Sequence, residues 1–293
     1  MHRVGKGTVF SGEKLADVFR KLKIPADFEY TKPANGSRIL FLHRKLTDGE
    51  IYFLDNRSDQ AAPVDATFRV DGKTPELWHP DTGKTEPVAY SIADGRTTLL
   101  LRLEPWGTVF VVFRKPAVAR SLKLAEPVES TLVTLGGVWK LSFEPGRGAP
   151  SSVLVDRLRS WSESSDAGVK YFSGTGTYTK TVSVPSKWMK PGSHLLIDLG
   201  DVKNLAEVLV NGQSLGTSWH PPFRVDVTSA LRVGDNRLEI KVTNAWVNRL
   251  IGDEQPNAVK YTYADFHPYK ASSPLLPSGL LGPVRIVSST VVP

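Results

Sequence analysis

The residues best suited to catalytic chemistry are two neighbouring carboxylates late in the chain, Asp253 and Glu254. An indole, an amide and a guanidinium precede them, at Trp246, Asn248 and Arg249. Two carboxyl groups about 5–9.5 Å apart supply the acid, base or nucleophile that cleaves a glycosidic bond. Adjacent side chains on an extended segment point to opposite sides, so these two are not expected to act as a pair with each other. A salt bridge between Asp253 and Arg249 is the main alternative to a catalytic role.

Aromatic and planar polar side chains indicate a second chemistry, the binding of sugars. An aromatic ring covers the apolar face of a pyranose, and planar polar groups bond paired hydroxyls. Seven residues are of the right types: Trp161, Tyr171, Trp219, His220, Trp246, Asn248 and Arg249. The alternative for each tryptophan is a place in the core, where Trp78 and Trp139 are assigned because they lie within predicted strands.

The elements that would position these residues are strands. Between residues 38 and 113, apolar or alternating runs recur about every ten residues between turns rich in Gly, Pro, Asp and Asn, a pattern typical of an antiparallel sandwich. A second β-rich block begins near Leu132. Its clearest hairpin turn is Asn211-Gly212, because this dipeptide accepts φ > 0 at both central positions. The sequence therefore predicts an all-β fold of two antiparallel, jelly-roll-like β-sandwich domains.

Residues 1–30 differ from the rest and predict one short helix. Ser11 is a candidate cap, Pro25 ends the helix, and the apolar residues between them fall at helical spacing. The predicted organisation is a helical lead-in over 1–30, a β-sandwich over 31–115, a linker over 116–130 and a jelly roll over 131–293.

Composition excludes several classes of function. The net charge of +7 is spread along the chain, without the dense basic face that nucleic-acid binding needs. With no cysteine and scattered histidines, no disulfide, thiolate or zinc site is expected. No cofactor is predicted, and calcium is only weakly indicated because no Asp-x-Asp-x-Asp loop is present.

No membrane span or secretory signal is predicted either. The chain has no run of about 18 apolar residues, and its basic start lacks an apolar stretch. The protein is expected to be soluble. Its compartment is either the cytoplasm or, if it is part of a longer exported chain, the periplasm or the exterior.

Short motifs in the second block resemble the jelly-roll sugar-binding domain of glycoside hydrolase family 2-type enzymes. They are Phe172-Ser-Gly-Thr-Gly-Thr-Tyr178, Asp198-Leu-Gly-Asp-Val202, Val210-Asn-Gly212, Trp219-His-Pro-Pro222 and Gly234-Asp-Asn-Arg-Leu238. Others resemble the C-terminal end of family 106 α-L-rhamnosidases. They are Gly5-Lys-Gly-Thr-Val9 leading to Pro25-Ala-Asp-Phe28, Leu42-His-Arg44 followed by Ile51-Tyr-Phe-Leu-Asp-Asn56, the segment from Asn244 to Asp253, and Ser278-Gly-Leu-Leu-Gly-Pro283.

The resemblance implies a carbohydrate-active protein of glycoside hydrolase type, similar to the C-terminal carbohydrate-binding part of an α-L-rhamnosidase. In that family a catalytic barrel precedes these modules and supplies the acid and base, so no catalytic residue is carried over. The implied partners are a plant or bacterial polysaccharide or glycoside and a catalytic partner domain.

Two alternatives stay open. One is a compact, stand-alone glycoside hydrolase whose site lies between the two sandwiches and uses carboxylates of the long excursion over 244–276. The other is a structural fragment that docks on a catalytic partner, which predicts an exposed apolar patch near residues 1–30.

Overall fold

The computed structural model describes residues 1–33 and 36–291. The chain forms two compact units, one from Met1 to Leu124 and one that begins at Ala125. Residues 34–35 and 292–293, which fall in the two predicted sandwich domains, lie outside the described residues. In this part of the chain, no helix has the length and apolar character that a membrane crossing requires.

The first unit is an antiparallel β-sandwich. Its elements are β1 (His2–Val4), β2 (Gly7–Val9), α1 (Leu15–Lys21), β3 (Phe28–Tyr30), β4 (Ile39–Lys45), β5 (Glu50–Asn56), β6 (Ala62–Phe68), β7 (Lys73–Trp78), β8 (Thr85–Pro87), β9 (Tyr90–Ala93), β10 (Arg96–Leu103), β11 (Thr108–Pro116) and β12 (Ser121–Leu122). The two five-stranded sheets have the orders β12-β9-β10-β6-β3 and β4-β5-β11-β7-β8. Strands β1 and β2 form a separate hairpin.

The alternation of buried and exposed residues along the strands explains how this core forms. In β6, Ala62, Val64, Ala66 and Phe68 are buried, while the residues between them face outward. A period of two places every second side chain on one face of a sheet, so apolar residues of both sheets meet in one cluster.

The start of the chain differs from the prediction in detail. A helix is present, but it begins after Lys14, and no side chain caps it. Ser11 is therefore not the cap, since the positive φ of Gly12 turns the chain before the helix starts. Residues 28–30, at the end of the predicted lead-in and after the helix, form β3 and pair with β6.

A polar cluster joins the two sheets of this unit. His43 on β4 lies between two carboxylates, with Nδ1 2.7 Å from Asp27 and Nε2 2.8 Å from Glu50. Its ring stacks on Tyr52 at 4.0 Å. Burial alone would raise the pKa of Asp27, but hydrogen bonds from Arg69 and His43 hold it below its usual value. The cluster therefore fixes the segment before β3 against β4 and β5.

The second unit is also an antiparallel sandwich, and helices and strands taken together are more numerous in its described residues than in those of the first. They are β13 (Pro127–Thr134), β14 (Trp139–Phe143), β15 (Ser152–Val155), a 3-10 turn (Trp161–Glu163), α2 (Ala167–Lys170), β16 (Thr175–Val184), a 3-10 turn (Ser186–Trp188), β17 (Ser193–Asp198), β18 (Asp201–Lys203), β19 (Leu205–Val210), β20 (Gln213–Ser218), β21 (Arg224–Asp226), β22 (Gly234–Thr243), α3 (Val247–Asp253), β23 (Gly279–Gly282) and β24 (Arg285–Val291).

This unit packs a four-stranded sheet, β13-β24-β17-β21, with a six-stranded sheet, β15-β14-β16-β22-β19-β20. A small two-stranded sheet, β18-β23, stands beside them. The predicted hairpin is confirmed: Asn211 and Gly212 join β19 to β20 with φ values of 53° and 84°. The prediction of an all-β fold of antiparallel sandwiches with a short N-terminal helix is confirmed.

Candidate functional site

The outward face of the six-stranded sheet carries a row of polar side chains. Apolar residues of its strands point inward and are buried, so the alternate residues face solvent. The strand register places one polar residue from each of five neighbouring strands side by side: Ser142, Thr177, Lys241, Glu207 and Thr217. A groove of about 460 Å³ runs over this row.

Charge is concentrated at the middle of the groove. Glu207 accepts hydrogen bonds from the Ser214 hydroxyl at 2.7 Å and from the Lys241 ammonium at 3.1 Å. These two bonds hold the pKa of Glu207 below its usual value, so the carboxylate is ionised. A carboxylate beside an ammonium offers both an acceptor and donors to neighbouring hydroxyls of a sugar.

An exposed indole follows the strand ends at one end of the groove, outside the groove's own lining. Strand β16 begins at Thr175, which lies opposite Thr243 near the end of β22, with their hydroxyl oxygens 2.9 Å apart. Trp246 follows three residues later and is 56% exposed. The guanidinium of Arg147 lies over its ring at 5.5 Å from the centroid, and Arg147 pairs with Glu144 at 3.0 Å. Arg147 thus covers one face of the Trp246 ring through a cation–π contact, while more than half of the residue stays exposed.

A second concavity of about 170 Å³ adjoins the groove at this end. Its walls are Lys203, Asn204, Asn244, Ala245, Val247, Asn248, Leu276, Pro277 and Ser278. Leu205 and Thr243 line the groove, whereas their chain neighbours Asn204 and Asn244 line the second concavity. Trp246 belongs to the segment from Thr243 to Val247, whose other residues line either the groove or the second concavity.

Trp219 and His220 follow β20 at the same end of the sheet. Ser218, the last residue of β20, pairs with Ala206 near the start of β19. Trp219 is 63% exposed, and the His220 ring lies edge-on to it at 5.5 Å. The topology therefore brings these two predicted sugar contacts to the sheet end that also carries Trp246.

Trp161 does not belong to this surface. It is 3% exposed and packs in the core, where its indole N–H donates to the Tyr178 hydroxyl at 2.7 Å. Burial raises the pKa of that phenol to about 12. The prediction of a sugar contact for Trp161 is corrected, because Ser160 leads a 3-10 turn that carries the indole inward. Tyr171 is half-buried at the end of α2, with the Lys170 ammonium 5.7 Å from its ring.

Asn248 and Arg249 lie on α3 and are both buried. The Asn248 amide exchanges two hydrogen bonds with the backbone of Leu276, at 2.7 and 2.8 Å. It therefore holds the far end of the excursion, although it also lines the second concavity. Arg249 points toward Asp253, with Nε 2.9 Å from Oδ1. Neither side chain is available as the free planar group that the sequence predicted.

Asp253 is a structural anchor. Its carboxylate accepts hydrogen bonds from the backbone N–H groups of Tyr261 and Thr262 and from the Thr262 hydroxyl, in addition to its ion pair with Arg249. Both oxygens have partners, which favours the salt bridge with Arg249 over a catalytic role for Asp253. Glu254 pairs instead with His267 at 2.8 Å. The two carboxylates end a helix, where adjacent side chains do not face each other.

Sequence reasoning missed the polar row. Its members alternate with core residues along ordinary strands, which looks the same as any solvated face. The register of three strands sets Thr177, Lys241 and Glu207 side by side, and the sequence alone does not specify that register. Within residues 1–33 and 36–291, no three His, Asp or Glu side chains are arranged to hold a metal ion.

Comparison with known proteins finds two family models that match successive parts of the chain. Residues 1–92 match the family model for alpha-L-rhamnosidase, and residues 114–270 match the sugar binding domain of glycosyl hydrolases family 2. A Formosa agariphila protein named "Putative beta-glucuronidase" is 32% identical over 86% of this chain and 24% of its own length. The solved rhamnosidase from Novosphingobium sp. PP1Y is 46% identical, with a TM-score of 0.91 over 98% of this chain and 27% of its own.

The chain thus spans about a quarter of the length of the two relatives described. Its residues 114–270 alone are more than half of the sequence. The chain belongs, through residues 114–270, to the sugar binding domain family of glycosyl hydrolases family 2, and its residues 1–92 match the alpha-L-rhamnosidase family model.

Proposed function

We propose that this chain binds carbohydrate as the accessory part of an α-L-rhamnosidase-type glycoside hydrolase. The observation that carries the proposal is the fold shared over almost the whole chain with the Novosphingobium rhamnosidase. The residues described here form two β-sandwich units and no βα barrel. The activity of a longer enzyme therefore depends on residues outside these two units.

The groove with Trp246 at its end is the proposed binding surface. The exposed indole offers a flat apolar face to a sugar ring, while hydroxyl, ammonium and carboxylate groups along the groove bond its hydroxyls. Leu205 is the partly exposed apolar side chain of the groove. It suits the methyl group of a 6-deoxy sugar such as L-rhamnose.

Calorimetric titration with a rhamnose-containing oligosaccharide tests this proposal. Trp246→Ala is expected to weaken binding about 10-fold or more, because a stacked ring contributes on the order of 1.5 kcal/mol. Trp106→Ala is the matched control, since that exposed indole lies in the first unit. If the Trp246 variant and the wild type bind the oligosaccharide with equal affinity, the indole does not contact the sugar.

A chromogenic α-L-rhamnoside separates binding from hydrolysis. We expect binding without turnover. If the chain hydrolyses the rhamnoside and the Glu254→Gln variant does not, the result would support the alternative of a stand-alone glycoside hydrolase. Failure to bind any rhamnose- or galactose-containing glycan would contradict the proposed function as a whole.

The surface of α1 supports the other role, docking on a catalytic partner. Leu15 and Phe19 share one face of the helix and Leu22 is its C-cap residue; all three are exposed, and no residue of α1 is buried. A seven-residue helix has little stability of its own, so it depends on a surface that covers this face. We propose that a catalytic domain of the rhamnosidase type provides that cover.

Sedimentation of the chain mixed with a rhamnosidase-type catalytic domain tests this docking. Leu15→Glu/Phe19→Glu is expected to abolish a complex that the wild type forms. The control is Asp17→Ala/Arg20→Ala, which removes an exposed ion pair of the same helix. Self-association of the wild type, lost in the glutamate variant, would instead identify a second copy of the chain as the partner.

A further inference from the structure

A further cavity lies on the other side of the six-stranded sheet from the groove. It measures about 160 Å³, and core residues form its floor: Leu141 on β14, Tyr178 on β16, and Trp161. Val153 on β15 and Leu158 add apolar walls. Because Leu141 and Tyr178 point inward, whereas the groove residues point outward, the cavity and the groove are separate sites.

The size of the cavity suits a single ring. An apolar protein cavity of about 150 Å³ stays dry and takes up benzene. The present cavity has about the same volume, and its floor is apolar and aromatic, with the Trp161 indole and the Tyr178 ring, whereas its rim is polar and open to solvent. An aromatic ring placed there would contact apolar and aromatic side chains over most of its surface.

The charges at the cavity define the rest of the ligand. Arg157 and Arg159 belong to its lining and are exposed to solvent. Across the described ranges, neither guanidinium has a hydrogen-bond or ion-pair partner. A guanidinium binds a carboxylate through two parallel hydrogen bonds, which makes an unpaired arginine at an apolar cavity a candidate anion site.

One carboxylate also lines the cavity, but it is committed elsewhere. Asp166 Oδ1 accepts from the backbone N–H of Gly168 at 2.7 Å and of Val169 at 3.2 Å. Asp166 therefore caps α2, and two arginines against one carboxylate leave the lining with a net positive charge. We propose that this cavity binds a small aromatic carboxylate, with its ring on the Trp161 floor and its carboxylate at Arg157 and Arg159.

Titration of the whole chain with three probes tests the proposal. Benzoate has both the ring and the charge, benzyl alcohol has the ring alone, and acetate has the charge alone. Benzoate is expected to bind one to one with a Kd of about 1 mM or lower. Benzyl alcohol is expected to bind at least about 10-fold more weakly, because it makes no charge-assisted bond to arginine. Acetate should not bind measurably.

Variants separate the two parts of the site. Arg157→Ala/Arg159→Ala is expected to weaken benzoate binding about 10-fold or more, with melting unchanged because both side chains are exposed. Arg232→Ala is the matched control, an exposed arginine outside the cavity. Val153→Phe should fill the cavity and abolish binding. Trp246→Ala should leave benzoate affinity intact, which keeps this result independent of the sugar titration.

Three outcomes would overturn the proposal. They are the absence of benzoate binding up to about 10 mM, equal affinity for benzoate and benzyl alcohol, and unchanged benzoate affinity in the double arginine variant. If the Val153 variant does not fold, the arginine variant alone decides the result.

Discussion

Replacing Asp253 with asparagine is expected to destabilise the second unit by about 3–5 kcal/mol. The substitution keeps the shape and one acceptor oxygen, but it leaves the guanidinium of Arg249 buried without a counter-charge. For a unit of this size the loss corresponds to a fall in Tm of roughly 6–20 °C. Urea unfolding followed by circular dichroism measures the change directly.

A matched pair of variants isolates the cause. Glu254→Gln removes the neighbouring carboxylate, whose pairing with His267 is largely exposed, and is expected to cost less than about 1 kcal/mol. Arg249→Met/Asp253→Asn removes both charges, and most of the lost stability is expected to return. A stable Asp253→Asn variant that had lost an activity of the wild type would argue for a catalytic role instead.

Truncation of Trp161 to alanine is the second change with a large expected effect, about 3–5 kcal/mol in unfolding free energy. The indole fills the core between Phe143, Phe172 and Tyr178, and its N–H is a hydrogen-bond donor to Tyr178. The variant loses this packing volume and one of the two donors to a buried phenol. Thermal unfolding monitored by far-UV circular dichroism would report the loss.

Trp246→Ala provides the contrast for this experiment. It removes an exposed ring of the same size, and its effect on stability is expected to stay within about 0.5 kcal/mol. The two variants thus compare the loss of stability from removing a core indole with that from removing a surface indole. A Trp161→Ala protein that melts like the wild type but fails to bind sugar would reinstate the original prediction for that residue.

The sandwiches could be predicted from the sequence because strand alternation is a local property. Residues 175–184 alternate between core and surface in both sequence and structure, and Asn211-Gly212 specifies its turn through the two positive φ values. The register between strands is not local. The polar row of the groove therefore depends on how β14, β16, β22 and β19 pair, which the sequence does not specify.

The errors at the candidate site have one physical source. Helix α3 has seven residues and no capping side chain, so nothing in the sequence separates it from the surrounding excursion. Its helical turn sets Arg249 four residues before Asp253 on one face, which makes the salt bridge and consumes the carboxylate. Similarly, Trp161 sits in a long polar loop, where no periodicity distinguishes an inward from an outward side chain.

The segment over 254–278, which follows α3, has a consequence for how this fold can vary. Helix α3 holds it near both ends, through Asp253 to residues 261 and 262 and through Asn248 to Leu276. Between these attachments Tyr263 and Phe266 are largely exposed. Related chains can therefore lengthen, shorten or rewrite this middle part without altering the sandwich, as antibody loops vary on a constant framework. The same domain can in this way acquire new neighbours or ligands at little cost in stability.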